Sequence, residues 1–183
     1  MKETFQELLL YLKNPILEKD ENIDFNYRIK KFGYLLLICL LTGFLISPIF
    51  AIIEEFGWIN MEDHAMEDMM KNLTKPMIFL TAVVIAPLLE ELIFRAPLTL
   101  FKSKNSFKIW FYVFAVLFGL VHISNFKMTT NVLLLAPILV LPQTLLGGYL
   151  GYIRVRFGLG WSIALHACYN GILMLITFSF DAF

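Results

Sequence analysis

The stretch that decides the fold is residues 128–153, MTTNVLLLAPILVLPQTLLGGYLGYI, which runs for 26 residues without a charged side chain. A helix needs about 20 predominantly apolar residues to cross the hydrocarbon core of a bilayer. Three other charge-free runs are nearly as long when histidine is counted as neutral: residues 32–53 with 22, residues 109–126 with 18, and residues 157–180 with 24. This pattern is typical of a polytopic membrane protein.

The composition of the whole chain agrees. Of its 183 residues 58% are apolar and 16% are charged, whereas soluble domains have about 45–50% apolar and about 25% charged residues. Fifteen basic residues balance fifteen acidic ones, so no basic excess exists to neutralise the phosphates of a nucleic acid. Two cysteines, Cys39 and Cys168, exclude a disulfide scaffold and a four-cysteine zinc site. We therefore expect the lipid bilayer, and not a nucleic acid, as partner; the oligomeric state stays open.

A fifth apolar run, residues 76–95, is uniform until it meets Glu90, Glu91 and Arg95. The sequence thus predicts an all-α, polytopic transmembrane helix bundle with about five spans, near 32–53, 76–95, 107–124, 132–153 and 159–180. They form one transmembrane domain, residues 32–183, after a cytoplasmic amphipathic leader, residues 1–31. The first run is too long for the core of a cleaved signal peptide, so we expect a retained helix.

Two short segments outside the spans carry apolar residues at helical spacing. They are Phe5, Leu8, Leu9 and Leu12 in the leader, and Met66, Met69, Met70 and Leu73 between the first two spans. Such helices either lie in the plane of the membrane interface or cover the loop ends of the bundle. The pattern does not decide between the two.

Basic residues predict the orientation, because cytoplasmic loops are enriched in Lys and Arg. Eleven lie on the side of the N-terminus: Lys2, Lys13, Lys19, Arg28, Lys30, Lys31, Lys102, Lys104, Lys108, Arg154 and Arg156. The opposite side has Lys71, Lys75 and Lys127. We expect the N-terminus in the cytoplasm and, with five spans, the C-terminus outside.

Several polar residues lie inside the predicted spans, where each charge costs a few kcal/mol. Glu91 and Arg95 are one helical turn apart and can form a salt bridge. Glu90 lies about 100° away around the helix, so it lacks that partner and is suited to act as a general base. Pro87 and Pro97 flank this turn, and each removes a helical hydrogen bond, which leaves free carbonyls and room for water.

Two further spans present Phe118 with His122, and His166 with Asn170, each pair one turn apart. The ordered set Glu-Glu-x-x-x-Arg, Phe-x-x-x-His and His-x-x-x-Asn resembles the CAAX protease and bacteriocin-processing family of intramembrane endopeptidases, related to the type II CAAX prenyl endopeptidase. The resemblance covers roughly residues 76–171, and "APLLEELIFRAPL" at 86–98 also matches. It implies an intramembrane protease acting on a membrane peptide or protein.

The resemblance also implies roles for these residues. Glu90 would activate the attacking water, His122 would hold that water, and His166 and Asn170 would stabilise the oxyanion. Glu91 and Arg95 would be a supporting pair. No cofactor is favoured, but zinc is the alternative, with Glu90, His122 and His166 as its ligands.

Two other functions remain open. One is a non-proteolytic membrane regulator or bacteriocin-immunity protein that acts by binding a membrane partner. The other, weaker, is a small proton-coupled transporter with Glu90 as carrier. The short chain looks like a bacterial member, so we expect the inner membrane and cleavage near its cytoplasmic side.

Simple helix geometry makes one difficulty explicit. On straight helices Glu90 and His166 lie about 10 Å from the cytoplasmic edge, whereas His122 lies about 22 Å from it. We expect the third span to be tilted or broken near Gly119, or residues 96–108 to re-enter the membrane. Gly147 and Gly151 form a small-x-x-x-small face for close helix packing, with space for a substrate as the alternative. His64 is expected to be solvated.

Overall fold

The computed structural model describes residues 1–180, so the last three residues of the predicted transmembrane domain lie outside the described residues. Nine α-helices follow one another in this range. They are α1 (Lys2–Lys13), α2 (Phe25–Glu55), α3 (Ala65–Asn72), α4 (Lys75–Phe79), α5 (Ala86–Phe94), α6 (Lys104–Val121), α7 (Thr130–Leu139), α8 (Leu141–Phe157) and α9 (Leu159–Phe180). A π-helical segment, Leu80–Ile85, joins α4 to α5.

Five helical segments are long and apolar enough to cross a membrane, which confirms the predicted bundle of spans. They are Phe25–Glu55, Lys75–Leu100, Lys104–Asn125, Thr130–Phe157 and Leu159–Phe180. The first begins earlier than the apolar pattern indicates, because Asp24 caps it by accepting a hydrogen bond from the Tyr27 backbone N–H at 2.7 Å. The helix therefore includes residues 25–31, about two turns, before its apolar run.

The second span is irregular around Pro87. In the π segment the Ala86 N–H donates to the Thr81 carbonyl, five residues back. Continuing this pattern would pair the Ala82 carbonyl with residue 87, but proline has no N–H to donate. The Ala82 carbonyl thus has no backbone donor at residue 87, as expected from Pro87 in the sequence.

Helices α6 and α8 pack closely through the predicted glycine face. A Cβ atom on Gly147 would lie 3.0 Å from the Ala115 carbonyl oxygen and 3.1 Å from its Cα, and one on Gly151 would lie 2.7 Å from the Phe111 ring. Backbone atoms of α6 occupy the space beside Gly147, so the face serves helix packing and not a substrate.

The two amphipathic helices cover opposite ends of the bundle. In α1 the buried residues are Thr4, Leu8 and Tyr11, and Tyr11 packs edge-on against Phe111 and Tyr152. Phe5 and Leu9 of the predicted face remain 43% and 41% exposed, so this face is rotated toward Tyr11.

At the other end, methionines of α3 pack on the bundle. Met66, Met69 and Met70 contact a buried cluster of Ile78, Val83 and Met174. Both amphipathic helices thus pack on the ends of the bundle, where an interfacial helix is also expected to lie.

Ion pairs attach the leader to the bundle. Lys31 Nζ lies 2.6 Å from a Glu7 carboxylate oxygen, and Arg156 Nη2 lies 3.3 Å from Asp20. Burial raises the pKa of Asp20, but hydrogen bonds from Asn22 and Tyr27 and the charges of Lys31 and Arg156 together hold it below its ordinary value.

Candidate active site

Glu91 is the fully buried member of the carboxylate pair on α5. Its oxygens accept a hydrogen bond from the Ser162 hydroxyl and lie 3.1 Å from His166 Nδ1 and 3.6 Å from Arg95 Nη1. The predicted i, i+4 salt bridge with Arg95 is confirmed. Three partners therefore hold this carboxylate, and it is shielded from water.

Glu90 differs from its neighbour. Its side chain is 26% exposed, and its Oε2 lies 3.7 Å from His166 Nε2, beyond hydrogen-bond distance. Within residues 1–180 this oxygen has no hydrogen-bond partner. The helix thus separates a fixed carboxylate from a free one, which is the separation that the i, i+4 spacing predicted.

His166 lies between the two carboxylates, with one ring nitrogen toward each. An ionised carboxylate only accepts hydrogen bonds, so the Nδ1 that faces Glu91 carries a proton. That contact sets the orientation of the ring and directs Nε2 toward Glu90.

A phenyl ring connects the remaining site residues. The Arg95 guanidinium lies 3.9 Å from the centre of the Phe118 ring, a cation–π contact. The same ring contacts His122 and His166, with centroids 4.8 Å and 5.6 Å away. His122 Nδ1 lies 2.7 Å from the Phe118 carbonyl oxygen and donates to it. Phe118, fully buried, therefore packs between the two histidines.

Asn170 contacts the irregular part of the second span. Its Nδ2 donates to the Ala82 carbonyl at 2.9 Å, which is the carbonyl that Pro87 leaves without a donor. The proline, the π-helical segment and Asn170 thus form one unit. The amide nitrogen keeps a second N–H beyond this bond.

A cavity of about 350 Å³ brings together four predicted residues: Glu90, His122, His166 and Asn170. Helix α6 stays regular past Gly119 and changes to a 3-10 turn at His122, so the change in the helix lies three residues after Gly119. Side chains lean toward the N-terminus of their helix, so His122 reaches back to the site from the end of α6.

The cavity extends away from the side on which the N-terminus lies. Its lining includes His64 and Met66 from the segment between the first two spans, Asn125 after α6, and Thr177 near the end of α9. Helix counting gives the depth of a residue but not the end at which packing leaves a gap, and here the gap lies at the end of the bundle opposite the N-terminus.

Two site residues were missed by the sequence reasoning. His64, expected to be solvated, is half-buried in the cavity wall, caps α3 by accepting the Met66 N–H at 3.1 Å, and packs edge-on against Phe126 at 4.9 Å. Ser162 is fully buried on Glu91. It lies one turn before His166, so its spacing was an available signal.

The zinc alternative places Glu90, His122 and His166 on one ion. These three side chains line one cavity, and His166 Nε2 lies 3.7 Å from Glu90 Oε2. The Nδ1 atoms of His166 and His122 contact Glu91 and the Phe118 carbonyl, so Nε2 is the ring nitrogen that each histidine has left for a ligand. Within residues 1–180 no group of three or more His, Cys, Asp or Glu side chains lies in a metal-binding arrangement.

The family model described as type II CAAX prenyl endopeptidase Rce1-like matches residues 72–172, more than half of the chain. The chain belongs to the Rce1-like family. No curated protein and no solved structure matches it. The matched range contains every predicted site residue. Together with the five apolar helices, the match makes the Rce1-like protein an integral membrane protein of an intramembrane endopeptidase family.

Proposed function

We propose that this Rce1-like protein hydrolyses a peptide bond in a membrane peptide or protein, with a water that Glu90 activates. The observation that carries the proposal is the contrast between the adjacent carboxylates: Glu91 has three partners, and Glu90 is free in the cavity. A carboxylate that lines a cavity and has an oxygen without a hydrogen-bond donor can take up a proton. Glu90 removes a proton from the water as the water oxygen attacks the carbonyl carbon of the peptide bond. Glu90 then gives that proton to the leaving nitrogen as the carbon–nitrogen bond breaks.

His122 holds the water in this mechanism. Its Nδ1–H donates to the Phe118 carbonyl at 2.7 Å, so the neutral ring has a lone pair on Nε2. That nitrogen can accept a hydrogen bond from the water and turn the oxygen lone pair toward the substrate. The positions of His122 and Glu90 on one cavity support this role.

His166 and Asn170 stabilise the oxyanion. In this role His166, whose Nδ1 is fixed by Glu91, donates from Nε2, and Asn170 donates the second N–H that its bond to Ala82 leaves free. Donors held in place act strongly in a site that excludes water, and loss of one such donor costs about 10²–10³-fold in kcat. Arg95 supports the base helix through Glu91.

The proposal needs no metal, because side chains of the protein supply the base, the group that holds the water and the oxyanion donors. It includes the orientation set by the basic residues, with the N-terminus in the cytoplasm and the C-terminus outside, in a bacterial inner membrane.

The test compares cells that express the wild type, Glu90→Gln, and Glu62→Gln as a control for an exposed carboxylate in the loop before α3. New peptide termini in the membrane fraction are identified by mass spectrometry. We expect a set of termini in the wild type and Glu62→Gln cells that is absent with Glu90→Gln and unchanged by a chelator. The same termini in all three strains would refute the proposal, and full biological effect of Glu90→Gln would favour the binding protein.

A further inference from the structure

The entrance of the site cavity lies at one end of the bundle only. His64 and Met66 come from the segment that joins the first two spans, and Asn125 follows α6. Thr177 lies near the end of α9. All four belong to the end of the bundle where α2 finishes and α3 covers the helices.

The opposite side of the site is closed by packed side chains. Glu91, Phe118 and Ser162 are fully buried, Arg95 is 1% exposed, and Leu98 in the next turn is 2% exposed. Arg154 covers this layer by donating to the Arg95 carbonyl at 3.0 Å. A peptide has no path to Glu90 through this layer.

Two further cavities lie beside the entrance. One of about 500 Å³ is lined by Trp58, Asn131 and their neighbours between the end of α2 and the start of α7. Another of about 320 Å³ is lined by Asp68, Asn125 and adjacent loop residues. The same end of the bundle thus offers recessed surface next to the site.

The charges decide which side of the membrane this end faces. Eleven basic residues belong to the closed end and three, Lys71, Lys75 and Lys127, to the end with the cavity. Cytoplasmic loops carry the excess of Lys and Arg. The open end therefore faces away from the cytoplasm.

From these observations we infer that the substrate enters from the non-cytoplasmic face, as a peptide segment that has been exported or that ends in the outer half of the bilayer. The inference rests on the proposed function and adds the substrate class. Thr177 lies eleven residues beyond His166 on α9, about 16 Å along the axis. An extended chain covers that depth with about five residues, so the substrate enters as a flexible end or an unwound segment and not as a folded domain.

The experiment uses single cysteines in the full chain, in a Cys39→Ala, Cys168→Ala background, with a membrane-impermeant charged thiol reagent. Thr177→Cys tests the entrance and Gln143→Cys tests the interior of the cavity, which Gln143 lines from α8. Lys104→Cys at the exposed start of α6 is the control for the other side. Labelling is compared between intact cells and inside-out vesicles.

We expect both cavity cysteines to react in intact cells and to react at least tenfold less in inside-out vesicles, with Lys104→Cys showing the reverse. Reaction of the cavity cysteines only in inside-out vesicles, or no reaction of either in intact cells, overturns the inference. Labelling does not require catalysis, so this outcome is independent of whether Glu90→Gln abolishes the new peptide termini.

Discussion

The proposed mechanism gives different roles to two adjacent carboxylates, and replacing each by its amide separates their contributions. Glu91 is fully buried with Arg95, which is itself 1% exposed and whose Nη1 and Nη2 have no hydrogen-bond partner within residues 1–180. Removing one partner of a buried ion pair costs about 3–5 kcal/mol. Glu91→Gln leaves the arginine in that position, so we expect a loss of this size.

Glu90→Gln removes a carboxylate that is 26% exposed and whose Oε2 lies 3.7 Å from His166 Nε2. Pairs of this kind contribute less than about 1 kcal/mol. A difference of 1 kcal/mol shifts Tm by about 2–4 °C in a chain of this size. Glu91→Gln should therefore lower Tm by about 6–20 °C and Glu90→Gln by less than about 4 °C, although Glu90→Gln is the variant that the proposed mechanism expects to be inactive.

The assay is thermal unfolding of the purified proteins in one detergent, followed by tryptophan fluorescence, together with the appearance of new peptide termini in cells. An Arg95→Met variant completes the cycle, because adding it to Glu91→Gln should cost less than the two separate losses combined. Equal shifts for Glu90→Gln and Glu91→Gln, or losses that simply add in the double variant, would refute the assignment of a structural and a chemical carboxylate.

Three other changes test the packing and the loop. Gly147→Ala should lower the free energy of unfolding by about 1–3 kcal/mol, because its Cβ would lie 3.0 Å from backbone. Gly33→Ala, with nothing within 4 Å, should raise it by about 0.5–1 kcal/mol. Chemical unfolding in mixed micelles compares the two variants, and equal effects contradict the close packing at Gly147. Asn170→Ala should lower the free energy of unfolding by about 1–3 kcal/mol, because it leaves the Ala82 carbonyl without a donor. The loss should be smaller in a Pro87→Ala background, which restores a backbone N–H at residue 87. An unchanged loss there would argue against the Ala82 carbonyl as the group that connects the two residues. Burial lowers the pKa of His64, helped by His122 and opposed by Glu67. The contribution of neutral His64 to stability is therefore present above about pH 6.5 and is lost as the pH falls. Protonation also removes the acceptor that caps α3, so the protection of the amides of residues 65–72 against hydrogen exchange should fall between pH 7 and 5, and His64→Asn should abolish that fall.

Most of the helical architecture could be predicted from the order of residues alone. Charge-free runs of 18 to 26 residues predict spans because a bilayer penalises charges wherever they lie along a helix. The same argument singles out Glu90, Glu91 and Arg95, and the fixed rotation per residue separates the two carboxylates before any fold is known. Pro87 likewise predicts a free carbonyl, because its effect on hydrogen bonding is local.

Contacts between distant segments explain why the sequence reasoning missed Ser162 and His64, and why it could not name the partner of the predicted Asn170. Ser162 contacts a carboxylate 71 positions away, and Asn170 contacts a carbonyl 88 positions away. His64 lines the cavity because α3 packs over the bundle end through its methionines. Spacing within one helix carries no information about which other helix lies opposite.

The order of residues thus determines which side chains are in the membrane and which share a helical face, because helix geometry and the cost of burying charge act locally. Only the packing of the helices decides that Phe118 brings His122 and His166 together and that the layer around Arg95 closes one end. An opening is what remains where side chains from several helices do not meet. The side from which the site is reached is therefore a property of the assembled bundle and not of any single segment.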